Sequence, residues 1–272
     1  MVDSGSTNEE RTFLETRIRS RVDVLEFVPN LGFGRASNVG AELTTAPTLL
    51  ITNPDTVVLS LPDDLWTGDG MGRQLVGAVK ILPGGERVPL GYPRLPTVTM
   101  ESQSLIFGRW KHGAGLTAEN PAWVAGAAFL IDRADFEAIG GFASDLFMYF
   151  EDADLCARHA AAGGTVAIDP RLLMTHDFGG SSVVRDMDQL SSALDSLNRQ
   201  SGRTFAARHG RPWHRPFLYG LMVVAYLPRR TASALIARRG RPARVLFYAL
   251  DLLLPRRAMR RLGAARLGPA DP

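Results

Sequence analysis

Three acidic residues stand together at the start of one candidate helix: Glu151, Asp152 and Asp154 follow directly on the aromatic run Phe147-Met148-Tyr149-Phe150. The aromatic side chains can hold Glu151 and Asp152 at the edge of an apolar pocket, and the dipole of a helix N-terminus favours their charged form. A base that takes a proton from an attacking hydroxyl at neutral pH needs those conditions. The same residues also suit a plain helix cap. A further carboxylate, Asp55, closes the triplet Asn53-Pro54-Asp55 just past an apolar run. It fits a Mg2+ or Mn2+ ligand, because a hard divalent cation takes oxygen from one or two carboxylates and from substrate phosphates; it equally fits a turn. His176 lies between an apolar strand and the small-residue loop at Gly179-Gly180. It reads either as a partly buried, satisfied histidine or as an imidazole ligand for a divalent metal.

The elements that must position these groups alternate between strand and helix, which argues for an α/β fold. Val22 to Val28 reads as a strand closed by Pro29-Asn30, and the glycine-rich stretch Asn30 to Asn38 turns helical through residues 39–43. Thr48 to Thr52 (TLLIT) has the pattern of a buried parallel strand with a functional loop at its carboxyl end. Leu75 to Leu82 is a further strand, and Glu86 to Pro121, rich in Pro, Gly and Thr, is expected to be an irregular excursion carrying substrate contacts. Ala125 to Ile131 reads as a buried strand and Asp135 to Ile139 as a short helix ended by Gly140-Gly141. Glu151 to Ala162 reads as a helix stopped by Gly163-Gly164, followed by a strand at Thr165 to Ile168 and, after Ser182, by a helical pattern broken at prolines.

Composition limits the possibilities. An apolar share of 45% and a charged share of 22% over 272 residues describe a globular chain with a sizeable core. The single cysteine, Cys156, offers neither an intramolecular disulfide nor a thiolate cluster for zinc, and suits a reducing, cytoplasmic setting. No basic and apolar leader opens the sequence. The apolar runs Pro216 to Pro228 and Val245 to Leu254 fall short of the roughly 20 residues of a spanning helix, so no ordinary transmembrane helix is expected.

Charge divides the chain. Residues 199–266 hold sixteen arginines, no lysine and one acid, Asp251, whereas residues 1–198 hold fifteen basic and twenty-six acidic residues. Basic residues interleaved with apolar ones suit attachment to an anionic membrane surface. A solvated helical surface and a nucleic-acid binder are the competing readings; the latter predicts a steep salt dependence on DNA.

From Trp123 to Ser181 the residues fall into a longer pattern. Trp123, Gly126-Ala127, an apolar strand, Phe136, Gly140-Gly141-Phe142, Phe147-Met148-Tyr149, Glu151-Asp152, Asp154-Leu155, Arg158, Gly163, Pro170 and His176, in that order, resemble the carboxyl half of family 2 glycosyltransferases. Asn30-Leu31-Gly32-Phe33-Gly34-Arg35-Ala36-Ser37-Asn38 and Asn53-Pro54-Asp55-Thr56 look like the donor-side elements of that family, and Val2-Asp3-Ser4-Gly5-Ser6-Thr7 like its nucleotide-contacting turn. The resemblance covers roughly residues 1–185 and leaves the basic tail outside it.

The resemblance implies a GT-A fold: a mixed, mostly parallel sheet with helices on both faces over residues 1–185, followed by a helical, arginine-rich, membrane-associating extension over 186–272. Asp152 would be the catalytic base of an inverting transfer. Asp55, with His176, would hold Mg2+ or Mn2+. Asp3, Ser6, Asn30, Gly34, Arg35, Asn38 and Asn53 would lie on the donor side, and Trp123, Gly126 and Glu151 on the acceptor side. The donor would be dTDP-rhamnose, because Asn-Pro-Asp-Thr and the Phe-Met-Tyr-x-Glu-Asp block are common in the rhamnosyltransferase-like branch; a UDP-hexose or galactofuranosyl donor is the alternative. The acceptor would be a polysaccharide or lipid-linked glycan, the partner surface an anionic membrane at the inner face of the cell, and nucleic acid no partner. A non-catalytic, membrane-associated relative of the fold is the rival from another class.

Family members usually begin with an apolar strand and a helix ahead of the turn that here occupies positions 3–7. On that resemblance the edge beside Thr48 to Thr52 is expected to be left open or to find another partner, with a poorly formed nucleobase pocket around Asp3.

Overall fold

In the computed structural model, which describes residues 1–66, 72–96, 121–176, 197–198, 200–202 and 204–210, the run Thr48–Thr52 is a strand over the same five residues. In chain order the elements are β1 (Val2–Ser4), α1 (Asn8–Arg17), β2 (Glu26–Val28), α2 (Phe33–Glu42), β3 (Thr48–Thr52), β4 (Thr56–Ser60) and α3 (Asp63–Trp66). They continue with β5 (Gln74–Ile81), β6 (Arg87–Pro89), β7 (Gly91–Tyr92), β8 (Trp123–Val124), β9 (Ala128–Asp132), α4 (Arg133–Ala138), α5 (Glu151–Ala161) and β10 (Thr165–His176).

The main sheet has six strands in the order β3-β9-β5-β10-β4, with β6 also on β5. It is mixed. β10 runs parallel to β5, while β3–β9, β5–β9, β5–β6 and β10–β4 are antiparallel pairs. Thr48–Thr52, expected as a parallel strand, therefore pairs antiparallel with β9, and among the described residues it has no partner on its other side. β1 and β2 form a separate parallel pair. The chain divides into two compact units, Met1–Leu95 with Gly113–Ser182 and Pro96–His112 with Val183–Pro272. In the second unit the described residues between 197 and 209 are helical. The arginine-rich residues beyond 210 and the rest of the excursion, 97–120, lie outside the described residues.

Alternation along β9 and β5 builds the core. Ala128 and Leu130, with Val76 and Ala78, face a cluster completed by Leu65, Leu172 and Met174. On the opposite face Phe129 meets Phe142, which also packs edge-on to Phe33 and Phe136. Each of the buried rings Phe129, Phe136 and Phe142 contributes about 1.5–3 kcal/mol by leaving water. The aromatic cluster fixes α2 against the 140–142 turn: a Cβ on Gly34 would come within 2.9 Å of the Phe142 Cβ. α2 starts at Phe33, earlier than residues 39–43, because Gly32 takes φ 80 and turns the chain into the helix.

The segment ahead of β3 is held by one side chain. Arg133 donates from Nε to the Ala46 carbonyl, from Nη1 to that of Ala41, and from Nη2 to that of Thr44. The Ala41 carbonyl lies in the last turn of α2 and those of Thr44 and Ala46 in the irregular connection that follows, so the guanidinium supplies donors to groups near a helix end and in a loop.

Candidate functional site

Helix α5 begins after two consecutive residues in the left-handed region, Tyr149 at φ 69 and Phe150 at φ 66. Non-glycine residues there cost of order 1–3 kcal/mol each and persist where the surroundings fix them. The helix starts directly after them, and its rotation per residue points Glu151 and Asp152 in different directions.

Asp152 is anchored by backbone. Its Oδ2 accepts the Gly126 N–H at 2.9 Å and its Oδ1 accepts the Ala153 N–H at 2.8 Å. Burial raises its pKa, and the Gly126 and Ala153 N–H groups oppose that rise. A raised carboxylate is a stronger base, while the two donors keep the charged form accessible. Glu151 is only 8% exposed, and its Oε2 has no hydrogen-bond partner. Burial first, and the Asp152 charge second, push Glu151 up to about 8. Burial thus favours the neutral form of Glu151, while the N–H donors at Asp152 favour its charged form.

The stretch Ala125 to Ile131, expected as one strand, is interrupted. Residues 125–127 form a turn between β8 and β9, and that turn serves both candidate centres. Gly126 supplies the N–H to Asp152, while the next carbonyl, of Ala127, accepts Thr52 Oγ1 at 3.0 Å, Asn53 N at 3.1 Å and Thr56 Oγ1 at 3.1 Å. Asp152 and the Asn53–Asp55 strand end are thus tied to neighbouring residues of one turn. Phe33, at the start of α2, closes on the same point: a Cβ on Gly126 would stand 3.3 Å from Phe33 Cε1 and 3.5 Å from Asp152 Cβ.

Asp55 and His176 converge. His176 Nε2 lies 3.1 Å from Asp55 Oδ1 and 3.4 Å from Asn53 Nδ2, with both side chains largely buried. The cause is register: β10, expected to end at Ile168, runs on to His176, which pairs with Thr56, the residue after Asp55. An imidazole and a carboxylate at this spacing fit a hard divalent cation whose remaining ligands come from a diphosphate and water. Among the described residues no group of three His, Cys, Asp or Glu side chains gathers, so Asp55 and His176 are the two candidate ligands there.

The expected donor-side residues separate. Asp3 accepts Ser6 Oγ at 2.6 Å and Ser6 N at 3.3 Å, and a Cβ on Gly5 would touch Asn30 Cβ at 2.7 Å, so Asp3, Ser6 and Asn30 form one ordered turn. Ser4 Oγ, which donates to Pro29 O and accepts Leu31 N–H, locks it. Asn53 sits with Asp55 and His176. Gly34 and Asn38 are occupied in packing instead: the Asn38 amide donates to Phe142 O at 2.9 Å and accepts Phe142 N–H at 2.8 Å. Arg35 is exposed on α2.

Of the residues expected on the acceptor side, Trp123 is buried, and its Nε1–H donates to Arg94 O at 3.0 Å. Tyr92 covers it, the rings stacked at 4.1 Å and 15°. Tyr92 went unseen individually, although the stretch holding it carried the composition of a substrate-contacting loop. Behind Asp152, Cys156 is pushed up to about 12, chiefly by burial, so its thiol is packing rather than a nucleophile.

No family model matches the chain. It is 27% identical over 248 residues to N-acetylglucosaminyl-diphospho-decaprenol L-rhamnosyltransferase of Mycobacterium tuberculosis, covering 81% of this chain and 78% of the relative, and the enzyme of a second strain matches equally. Among solved structures it is similar to GalNAc-T7 with UDP, GalNAc and Mn2+, at 15% identity and TM-score 0.46, over 73% of this chain and 44% of that one. It is also similar to mannosyltransferase PcManGT from Pyrobaculum calidifontis in complex with GDP-Man and Mn2+, at 20% identity and TM-score 0.45, over 97% and 74%. The chain spans less than half the length of the GalNAc-T7 chain. The mycobacterial relative is named as an L-rhamnosyltransferase, and the match covers more than three quarters of either chain.

Proposed function

We propose that the chain is an inverting, family 2 rhamnosyltransferase that moves rhamnose from dTDP-rhamnose to a hydroxyl of a lipid-linked glycan of cell-wall or surface polysaccharide synthesis, with Asp152 as the base. The observation that carries this reading is the Asp152 carboxylate, hydrogen-bonded by Gly126 at the start of α5 in a turn that also holds the Asn53–Asp55 strand end. The donor and acceptor classes follow the relative, which is named for rhamnosyl transfer to N-acetylglucosaminyl-diphospho-decaprenol.

In the reaction the acceptor oxygen forms a bond to the anomeric carbon as the bond from that carbon to the diphosphate breaks. The hydroxyl proton passes to Asp152, and the nucleotide diphosphate leaves with the bonding electrons. Glu151 keeps its proton, so no second negative charge repels the developing alkoxide. Asp55 and His176 would hold Mg2+ or Mn2+, which supplies charge neutralisation at the diphosphate when bound. Asp3, Ser6 and Asn30 would meet the nucleotide.

The catalytic domain is residues 1–185, and the arginine-rich residues 186–272 attach it to the anionic inner face of the membrane. No helix among the described residues is long and apolar enough to cross a bilayer. Salt-sensitive binding to phosphatidylglycerol vesicles, lost on deleting residues 216–272, is the expected behaviour; salt-insensitive binding would contradict it.

The deciding experiment incubates the full chain with Mn2+, a short-chain N-acetylglucosaminyl-diphospho-polyprenol and, in turn, dTDP-rhamnose, UDP-galactofuranose and UDP-glucose, reading diphosphate release. Turnover restricted to a UDP-sugar would replace the donor, and absence of turnover with every donor would refute the catalytic reading.

A further inference from the structure

Trp123 is expected at the acceptor on its resemblance, yet it is 7% exposed, its Nε1–H is committed to Arg94 O, and one ring face lies under Tyr92. Of the two stacked rings Tyr92 is the less buried.

We propose that Tyr92 is the aromatic contact of the acceptor, the ring against which the C–H face of the acceptor's sugar lies while its attacking hydroxyl reaches Asp152. The inference rests on the glycosyl-transfer reading above and names the residue that gives that site its preference for a pyranose ring. A sugar presents hydroxyls around its rim and C–H groups on its face, so a flat aromatic ring beside a hydrogen-bond acceptor matches both.

Placement supports this. Tyr92 pairs with Trp123 in register, so the short β7–β8 ladder sets the two rings side by side. The ladder meets α5 through the Val124 backbone at the Cys156 thiol, and the turn that follows β8 meets it through the Gly126 N–H at Asp152. Tyr92 is therefore held in fixed relation to the base. Burial first, and the Asp152 charge second, raise the Tyr92 phenol.

A purely structural Tyr92 would only shield Trp123, and that alternative makes a different prediction. Leucine keeps an apolar cover over Trp123 but presents no flat face. Calorimetric titration of the full chain with a short-chain N-acetylglucosaminyl-diphospho-polyprenol, without donor, should give a Kd raised roughly three- to tenfold in Tyr92→Leu, the size of one aromatic contact. Tyr92→Phe should restore most of the affinity. An unaltered Kd in Tyr92→Leu overturns the proposal, and so does failure of the wild type to bind this probe. Should Tyr92→Leu not fold, 13C-tyrosine spectra decide: the resonance that Tyr92→Phe removes must move when the probe is added, and a stationary resonance overturns the proposal. Diphosphate release from dTDP-rhamnose in the presence of the same acceptor probe and Mn2+ is followed in parallel. Its absence in the wild type would strike the donor assignment, leaving the binding data to judge Tyr92.

Discussion

The His176 imidazole meets the Asp55 carboxylate, Nε2 to Oδ1, at 3.1 Å, because β10 lays His176 opposite Thr56 on β4. If the pair holds a cation with the donor, Mn2+ plus dTDP at 100 times Kd should stabilise the wild type by about 2.7 kcal/mol, a rise in Tm of roughly 5–10 °C. EDTA should abolish the rise, and Asp55→Asn should lose most of it. The same rise in Asp55→Asn, measured by differential scanning fluorimetry, would exclude Asp55 as a ligand.

Asp152→Asn keeps an oxygen for the Gly126 N–H but cannot take a proton. Turnover should fall by about 10² or more, with donor Kd and Tm little changed. Steady-state kinetics beside donor calorimetry test this. Near-normal turnover would remove Asp152 as the base.

Glu151 binds its proton more tightly in the folded chain, with a pKa near 8, than an ordinary glutamate near 4.5. Between those values the native state holds a proton that the unfolded state has lost, so stability falls as pH rises from about 4.5 to about 8, and the contribution is complete below 4.5. Glu151→Gln should flatten this slope, gaining on the wild type as pH rises to 8. Parallel Tm-versus-pH curves for the two proteins would show that Glu151 is not held neutral.

Gly32 opens α2 at φ 80, and a Cβ there would lie in contact with the Phe147 carbonyl oxygen. Gly32→Ala should cost about 1–3 kcal/mol by chemical denaturation, from backbone strain and from displacing the 147–150 turn that aims Asp152. The variant should also lose turnover beyond its loss of folded fraction. Unchanged stability and turnover would show that this approach is not needed.

Much of the architecture was legible in local pattern. The run Thr48–Thr52 and the helix Glu151–Ala161 stand within a residue of where composition and glycine stops put them, because an apolar pentapeptide and a Gly-Gly terminus act through neighbours in sequence. The types of the key residues were legible too: an acid pair after an aromatic run, an acid after a strand, a histidine before a small-residue loop. Side-chain chemistry is a property of the chain.

Only tertiary structure decided which of them act together. The antiparallel direction of β3 depends on pairing with β9, and the meeting of Asp55 with His176 on the β10–β4 register; neither is encoded within either strand. Gly34 and Asn38 turned out to face Phe142, since a helix rotation is fixed by what packs against it. Glu151 and Asp152 are neighbours in sequence with the same chemistry, and their successive positions on the helix leave Glu151 Oε2 buried without a donor while Asp152 accepts the Gly126 N–H. Desolvation and hydrogen bonding act through space, so the division of labour between two adjacent carboxylates is decided by the fold.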